Sequence, residues 1–381
     1  MKIRVLHIIH TLHLGGAESN LYNLVSFHDL STVEPHVAYA SGGPFEQKLR
    51  EKGARLFKYA SKPTKIKSLA TFSIIWKLFS YIKKHQIQIV HTHNYNAHVW
   101  GSVAAKLAGV KLLEHVHDPR YEPPGYMASL GLPETTQFAQ VRYFSKLSDK
   151  IFVLTNQNKE YIVSQRMAPV EKVSILWNGI PLSENIEPKS SVFENLSIPP
   201  EGKIVFTAMR LSPEKNAAAI LEIARRVRNP NVFFVIAGNG PEKKILEEKA
   251  RKARIAEKIH FLGYRSDIKA LLSASDIFIL PTLRELHSLT MMEAMSLGIP
   301  ALVSKGAGCN DDFIRHGENG FLLDPRNPAE WAETIDLLLQ NDDQRQKVGH
   351  AGKEWIKQEC DIKIVVRKIE SIYSQLVKKT A

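Results

Sequence analysis

Apolar runs of strand length alternate with stretches of helical periodicity along most of the chain, which is the pattern of parallel sheets covered by helices. In the first half, residues 3–9, 36–40, 87–91, 112–117 and 151–154 read as strands. Between them Leu69, Phe72, Trp76, Phe79 and Ile82 recur at three and four residues, so 68–85 reads as an amphipathic helix carrying that apolar stripe. In the second half, 203–209, 232–237, 259–262, 277–280 and 301–304 read as strands, and 217–227, 242–253, 289–297 and 329–339 as helices. The polar, proline-containing stretch near 181–200 breaks this rhythm. It divides the chain into a first domain over 1–183, a linker over 184–200 and a second domain over 201–360. Residues 361–381 form a helical tail expected to pack back on the first domain.

Length supports two α/β domains, since 381 residues exceed one ordinary core. A hydrophobic content of 44% and a charged content of 24% are ordinary for a soluble globular protein. The apolar start of the chain is too short for an export signal and reads as a buried strand. No stretch approaches the ~20 apolar residues of a spanning helix. Cys309 and Cys360 lack metal-type or redox-type spacing, which fits a reducing, cytoplasmic location. The formal charge of +12 is concentrated: between Glu46 and Lys84 there are eleven Lys/Arg against two acids. The run Lys48–Lys84 would attract phosphates, as on an anionic membrane surface or a lipid-linked diphosphate, or is simply a solvated face. Nucleic acid is not expected, because the basic residues are not interleaved with stacking aromatics on a recognisable binding module.

Several loops can carry chemistry. Gly15-Gly16-Ala17-Glu18 follows the first strand and opens a helix, where backbone N–H groups can meet an anion; a plain tight turn has the same sequence. Arg210 and Lys215 lie on one strand-to-helix loop of the second half, at the end of a parallel strand where a diphosphate would bind. Ser212-Pro213 is equally a good helix start. Gly238-Asn-Gly-Pro241 reads as structural. Glu285 follows the strand 277–280, and Glu293 lies eight residues later in a helix beginning near Leu289. The N–H groups of Leu289 and Thr290 can face a phosphate, with Glu293 one turn on; Thr290-x-x-Glu293 also matches a capping box.

Glu285-x7-Glu293 followed by Ala294-Met295-x-x-Gly298-x-Pro300 resembles the signature of retaining GT-B glycosyltransferases of family 4. The ordered set of Gly15–Glu18, Val116-His117-Asp118, Asn178-Gly179, Arg210/Lys215 and Gly317-Glu-Asn-Gly320 extends that resemblance over most of the chain. It implies a GT-B fold, two doubly wound Rossmann-like domains facing across a cleft. It also implies retaining transfer of a sugar from a UDP- or GDP-linked donor to a glycan or lipid-linked acceptor in cell-surface polysaccharide or glycolipid synthesis. Arg210 and Lys215 would bind the diphosphate, Glu293 the ribose, and Glu285 and His117 the transferred sugar. Gly16 would lie beside the breaking bond. Leu286-His287-Ser288 replaces the family's usual Gly-Phe-Gly and suggests a bulkier, more polar sugar pocket. A GT-B epimerase or hydrolase, or a non-catalytic nucleotide- or glycan-binding protein, are the alternatives.

His91, His93, His98, His115 and His117 crowd two successive strand ends, and the pairs His91/His93 and His115/His117 each fall on one face, a geometry able to take zinc. The resemblance implies that no metal or other cofactor is needed, with His117 turned to the sugar. It places the protein in the cytoplasm or at the inner face of the cytoplasmic membrane.

Overall fold

Runs such as Val232–Ala237 (VFFVIA) and Ile277–Leu280 (IFIL) are apolar at every position, which suits strands covered on both faces. The computed structural model describes residues 2–60, 70–117, 143–182, 196 and 198–378. Asp118, Lys62, Lys65, Lys67 and most of the stretch read as a linker lie outside the described residues. The chain divides into two compact units, Met1–Pro181 with Asp361–Ala381, and Leu182–Cys360.

The first unit holds β1 (Ile3–Ile8), β2 (Val33–Tyr39), β3 (Arg55–Lys58), β4 (Ile89–Thr92), β5 (Lys111–His115), β6 (Lys150–Val153) and β7 (Val173–Ile175), ordered β3-β2-β1-β4-β5-β6-β7. The second holds β8 (Lys203–Ala208), β9 (Val232–Ala237), β10 (Ile259–Gly263), β11 (Ile277–Leu280), β12 (Ala301–Ser304) and β13 (Phe321–Leu323), ordered β10-β9-β8-β11-β12-β13. All these pairings are parallel. Both units are therefore doubly wound α/β folds. In each, the strand order reverses between the first and fourth strands, β1/β4 and β8/β11. Open sheets of this kind bind ligands outside the carboxyl ends of the strands at that point.

The last helix, Ile362–Lys378, belongs to the first unit. It buries Ile362, Val365, Val366, Ile369 and Tyr373 with Val5, Ile89, Leu113 and Phe152 of the sheet. Each such side chain contributes about 1.5–3 kcal/mol. The Ile362 N–H donates to the Ile180 carbonyl at 3.0 Å, which fixes where the chain re-enters this unit.

Helix Ala70–Lys84 differs from the sequence reading in its buried face. Ile74, Leu78 and Ile82, spaced by four, enter the core beside helix Tyr95–Ala108. Phe72 and Trp76 of the expected stripe are instead 78% and 67% exposed. Aromatic bulk dominated the apparent periodicity, while the aliphatic residues two positions on fit the sheet. Among the described residues no helix is long and apolar enough to cross a membrane.

Candidate active site

In the second unit the loop after β8 is welded to its neighbours by backbone. Met209 and Leu211 N–H donate to the carbonyls of Ala237 and Asn239, both at 3.0 Å. So close a seam excludes side chains: a Cβ on Gly238, whose φ is +129°, would sit 1.9 Å from the Met209 oxygen. The Gly238–Pro241 motif is accordingly a packing seam. Beyond it Pro213–Lys215 make a single 3-10 turn, and Asn216 starts helix Ala217–Arg226 from a left-handed φ of +52°. Ser212 does not cap that helix; its hydroxyl donates to Glu214 Oε1 at 2.6 Å. Burial alone would raise the Glu214 pKa, but Ser212, its own N–H and the Lys215 and Arg210 charges outweigh that and lower it.

Two sets of ties hold this loop against the loop after β11. The Glu214 carbonyl accepts from Leu283 and Arg284 N–H at 3.0 and 3.2 Å. Asn216 Nδ2 donates to the carbonyls of Pro281 (3.0 Å) and Pro325 (3.2 Å). The result joins the switch-point strands β8 and β11: Lys215 Nζ donates to Glu285 Oε2 at 2.8 Å, with the two side chains only 21% and 15% exposed. Glu285 Oε1 accepts from the Leu286 N–H at 3.0 Å. The Arg210 side chain is exposed and makes no hydrogen bond or ion pair among the described residues.

Helix Leu289–Ser296 is capped by Ser288, whose hydroxyl accepts from Met291 N–H at 3.2 Å. Thr290 is thus the second helical residue and not the cap, so a Thr290–Glu293 capping box does not form. The N–H groups of Leu289 and Thr290 belong to the first turn and lack intrahelical acceptors. The Glu293 carboxylate has no hydrogen bond or ion pair among the described residues. Burial raises its pKa above the ordinary value, with the Lys269 charge opposing.

The loop between the two glutamates is less polar toward its surroundings than Leu286-His287-Ser288 suggests. His287 is buried edge-on against Phe313, ring centroids 4.9 Å apart, and Ser288 is spent as a cap. Under it runs a turn that sequence reasoning missed. Gly308 has φ +61°, and a Cβ there would lie 1.8 Å from the Glu285 carbonyl oxygen. Cys309 N–H donates to the Leu286 carbonyl at 3.0 Å, so this turn sets the height of the Glu285 backbone. Its only sequence signal was the pair Gly306 and Gly308 after an apolar run.

The first unit's switch point is chemically different. Gly15 adopts extended backbone before helix Gly16–Phe27, with no side-chain cap, and a Cβ on Gly16 would meet nothing within 4 Å. His117 follows β5, and Asn20 Nδ2 lies 3.5 Å from its Nε2, so this asparagine links the helix that Gly16 opens to His117. Asn20 also went unnoticed in the sequence, since a lone polar residue in a helix carries no motif. His7, His91, His93 and His115 are buried beside His117. Desolvation, with like-charge repulsion second, holds those four well below the ordinary imidazole pKa, and pushes His117 down to about 3. The imidazoles are neutral near pH 7. Of the second unit's expected site residues, Lys215 and Glu285 are joined directly, Arg210 lies on the loop that carries Lys215, and Leu289, Thr290 and Glu293 lie in the helix after Glu285; Gly16 and His117 follow β1 and β5 of the first unit.

Comparison with known proteins decides the family. Residues 14–184 match the model described as Glycosyltransferase Family 4, and residues 189–355 the one described as Glycosyl transferases group 1. The Escherichia coli UDP-Gal:alpha-D-GlcNAc-diphosphoundecaprenol alpha-1,3-galactosyltransferase is 30% identical over 269 residues, covering 68% of this chain and 67% of that protein. This chain belongs to the group 1, family 4 glycosyltransferases. A Campylobacter jejuni N,N'-diacetylbacillosaminyl-diphospho-undecaprenol alpha-1,3-N-acetylgalactosaminyltransferase is 24% identical, covering 88% of this chain and 89% of that one. The GT-B fold of the glycosyltransferase is shared with Anabaena HepE, solved with UDP and glucose, at a TM-score of 0.82, 20% identity, and coverage of 98% and 99%. The two family matches of the glycosyltransferase meet close to the boundary of its two units.

Proposed function

We propose that this glycosyltransferase moves a hexose from a UDP-linked donor to a lipid-linked glycan diphosphate, with retention at the anomeric carbon and without a metal in the transfer step. The observation that carries this reading is the Lys215–Glu285 pair at the β8/β11 switch point, with Arg210 on the same loop as Lys215 and its guanidinium unpaired among the described residues. A diphosphate brings Arg210 a counter-charge and competes with Glu285 for Lys215, and it meets the first-turn N–H groups of Leu289 and Thr290 as well. As the bond to the anomeric carbon breaks, negative charge grows on the leaving diphosphate. Preorganised donors aimed at such charge commonly supply about 3–4 kcal/mol each. Once the diphosphate engages Lys215, Glu285 is released to the sugar hydroxyls. Glu293, half-buried and without a hydrogen-bond or ion-pair partner among the described residues, takes the ribose hydroxyls. The family resemblance assigns neutral His117 to the sugar hydroxyls and Gly16 to the neighbourhood of the reacting bond.

The acceptor class is supported by two relatives, each named for a diphospho-undecaprenol-linked substrate. It is also supported by the basic residues Lys48, Arg50, Lys52, Arg55, Lys58, Lys77, Lys83 and Lys84 and by exposed Phe72 and Trp76, a combination suited to the anionic inner face of the cytoplasmic membrane. The deciding experiment screens UDP- and GDP-sugars against diphosphoundecaprenol-linked monosaccharides by mass spectrometry, with NMR of the product linkage. A new α-linked disaccharide from a UDP-sugar is expected. An inverted linkage, or sugar release that needs no acceptor, refutes the reading.

A further inference from the structure

The first unit's sheet sets a group of imidazoles side by side. His7 on β1 is in register with His91 on β4, His93 follows β4, His115 ends β5 and His117 follows it. Parallel pairing at matching phase turns these side chains to one face. Their ring centroids are 4.0 Å apart for His115–His117, 5.7 Å for His93–His117 and 5.8 Å for His93–His115.

Their hydrogen bonding is incomplete in a way that points to a ligand. Both ring nitrogens of His115 are buried and, among the described residues, have no partner; the same holds for His93 Nδ1. Leaving a buried nitrogen unpaired costs roughly 1–3 kcal/mol, and a folded core seldom carries several together. The nitrogens on the far side are engaged. His93 Nε2 lies 2.9 Å from His7 Nδ1, and His117 Nε2 lies near the Asn20 amide. His93 and His117, anchored through one nitrogen and open at the other, have the arrangement of metal-ligating histidines with their outer hydrogen-bond partners, while His115 is open at both.

We propose that His93, His115 and His117 bind one transition-metal dication of the Zn2+ class. One ligand nitrogen from each lies within 4.8 Å of the other two. Side-chain rotation closes that spread onto an ion at about 2.0–2.1 Å from each nitrogen. Three neutral imidazoles select Zn2+, Cu2+ or Ni2+ and offer nothing to Ca2+ or Mg2+, which require oxygen ligands. The neighbouring set His7, His91 and His93 is the weaker candidate. It is sealed from solvent, and His91 Nδ1 and His7 Nδ1 are held by Tyr373 and His93 at 2.6 and 2.9 Å. His117 is only partly buried, which leaves a way in and an open fourth position for water. An ion there occupies His117, so metal binding and the sugar contact exclude one another. That consequence rests on the function proposed above, whereas the site itself does not.

The test uses the full-length, tag-free protein stripped of metal and needs no sugar nucleotide. Dialysis against Zn2+ should load one equivalent, and Co2+ should give the visible absorption of a tetrahedral or five-coordinate nitrogen site. His115→Gln and His117→Gln should each weaken Zn2+ retention at least tenfold, while exposed His13→Gln should not change it. Far-UV circular dichroism confirms that the metal-free variants are folded; His117, partly exposed, is the substitution the fold tolerates best. No bound equivalent in the wild-type protein overturns the proposal, as does retention unchanged in a folded His117→Gln.

Discussion

The two units place the same strand order and the same switch point under opposite electrostatics. Beyond β8 and β11 stand an ion pair on loops tied to each other by backbone, and a guanidinium and a helix carboxylate that have no partner among the described residues. Beyond β1 and β4 stand neutral, buried imidazoles and a glycine-opened helix with no charge of its own at the rim except Glu18. A doubly wound sheet thus fixes where a ligand sits and leaves its charge to a handful of loop residues. On the proposals above, the second unit takes an anion, and the first takes uncharged hydroxyls or a transition-metal dication.

Removing the charge from one side should break that contrast most sharply. Lys215→Ala is expected to lower turnover by roughly 10²–10³-fold, the usual loss when one preorganised donor is deleted. Its melting temperature should barely move, because a partly exposed ion pair contributes only about 0–1 kcal/mol. Turnover of a UDP-sugar measured beside a thermal melt checks both; unchanged turnover removes the cation from the mechanism. Glu293→Gln ranks next. A hydrogen bond to a charged group is worth about 1.5–3 kcal/mol, so UDP affinity should fall roughly 10- to 100-fold by calorimetry. Stability should hold or rise, since the variant relieves a buried carboxylate with no partner among the described residues. Burial raises the Glu293 pKa, so the carboxylate form is lost as pH falls while still above its ordinary value. Wild-type UDP affinity should weaken across that window, and the variant's should not.

How far the sequence discloses this depends on whether a residue acts locally. β9 and β11 are fully apolar and β12 is apolar up to its last residue, Ser304, and the runs 232–237, 277–280 and 301–304 coincide with them. β2 begins at Val33, but Pro35 inside it argues against a strand, so the pattern starts at His36. β3, β7 and β13 span only three or four residues, too few for a period. Helix Tyr95–Ala108 is buried on most sides and rich in small residues, so it shows no apolar stripe. At the site, Arg210, Lys215 and Glu285 can be singled out because each follows an apolar run on a loop, and Glu293 because it lies eight residues past Glu285 in the helix that follows. Asn216 and Asn20 cannot, since their contacts cross 65 to 109 residues and 97 residues of chain.

Gly308 is the same kind of hidden residue, and replacing it tests whether the second unit's charges need their backbone held. Gly308→Ala meets both a positive φ and the Glu285 carbonyl, a strain of roughly 1–3 kcal/mol. If that strain moves the Glu285 loop, turnover should fall about tenfold. The thermal midpoint should drop with it, unlike that of Lys215→Ala. A lower midpoint with full turnover would show that Gly308 serves the fold alone.

The smallest effect concerns the first unit's outer surface. Phe72 and Trp76, one turn apart and mostly exposed, stabilise little where they stand, so the Phe72→Ala, Trp76→Ala double variant should keep its midpoint within about 0.5 kcal/mol. Their burial in a lipid interface would be partial. At a fraction of the 1.5–3 kcal/mol of a fully buried side chain, partitioning onto vesicles with anionic lipid should drop only about three- to tenfold. Nearby Lys77, Lys83 and Lys84 should still confer a preference for anionic over neutral vesicles that fades with salt. The comparison between the units turns on this measurement. Equal sedimentation with both vesicle types, before and after substitution, would mean the first unit has no lipid-facing surface, and its basic run would be only a solvated face.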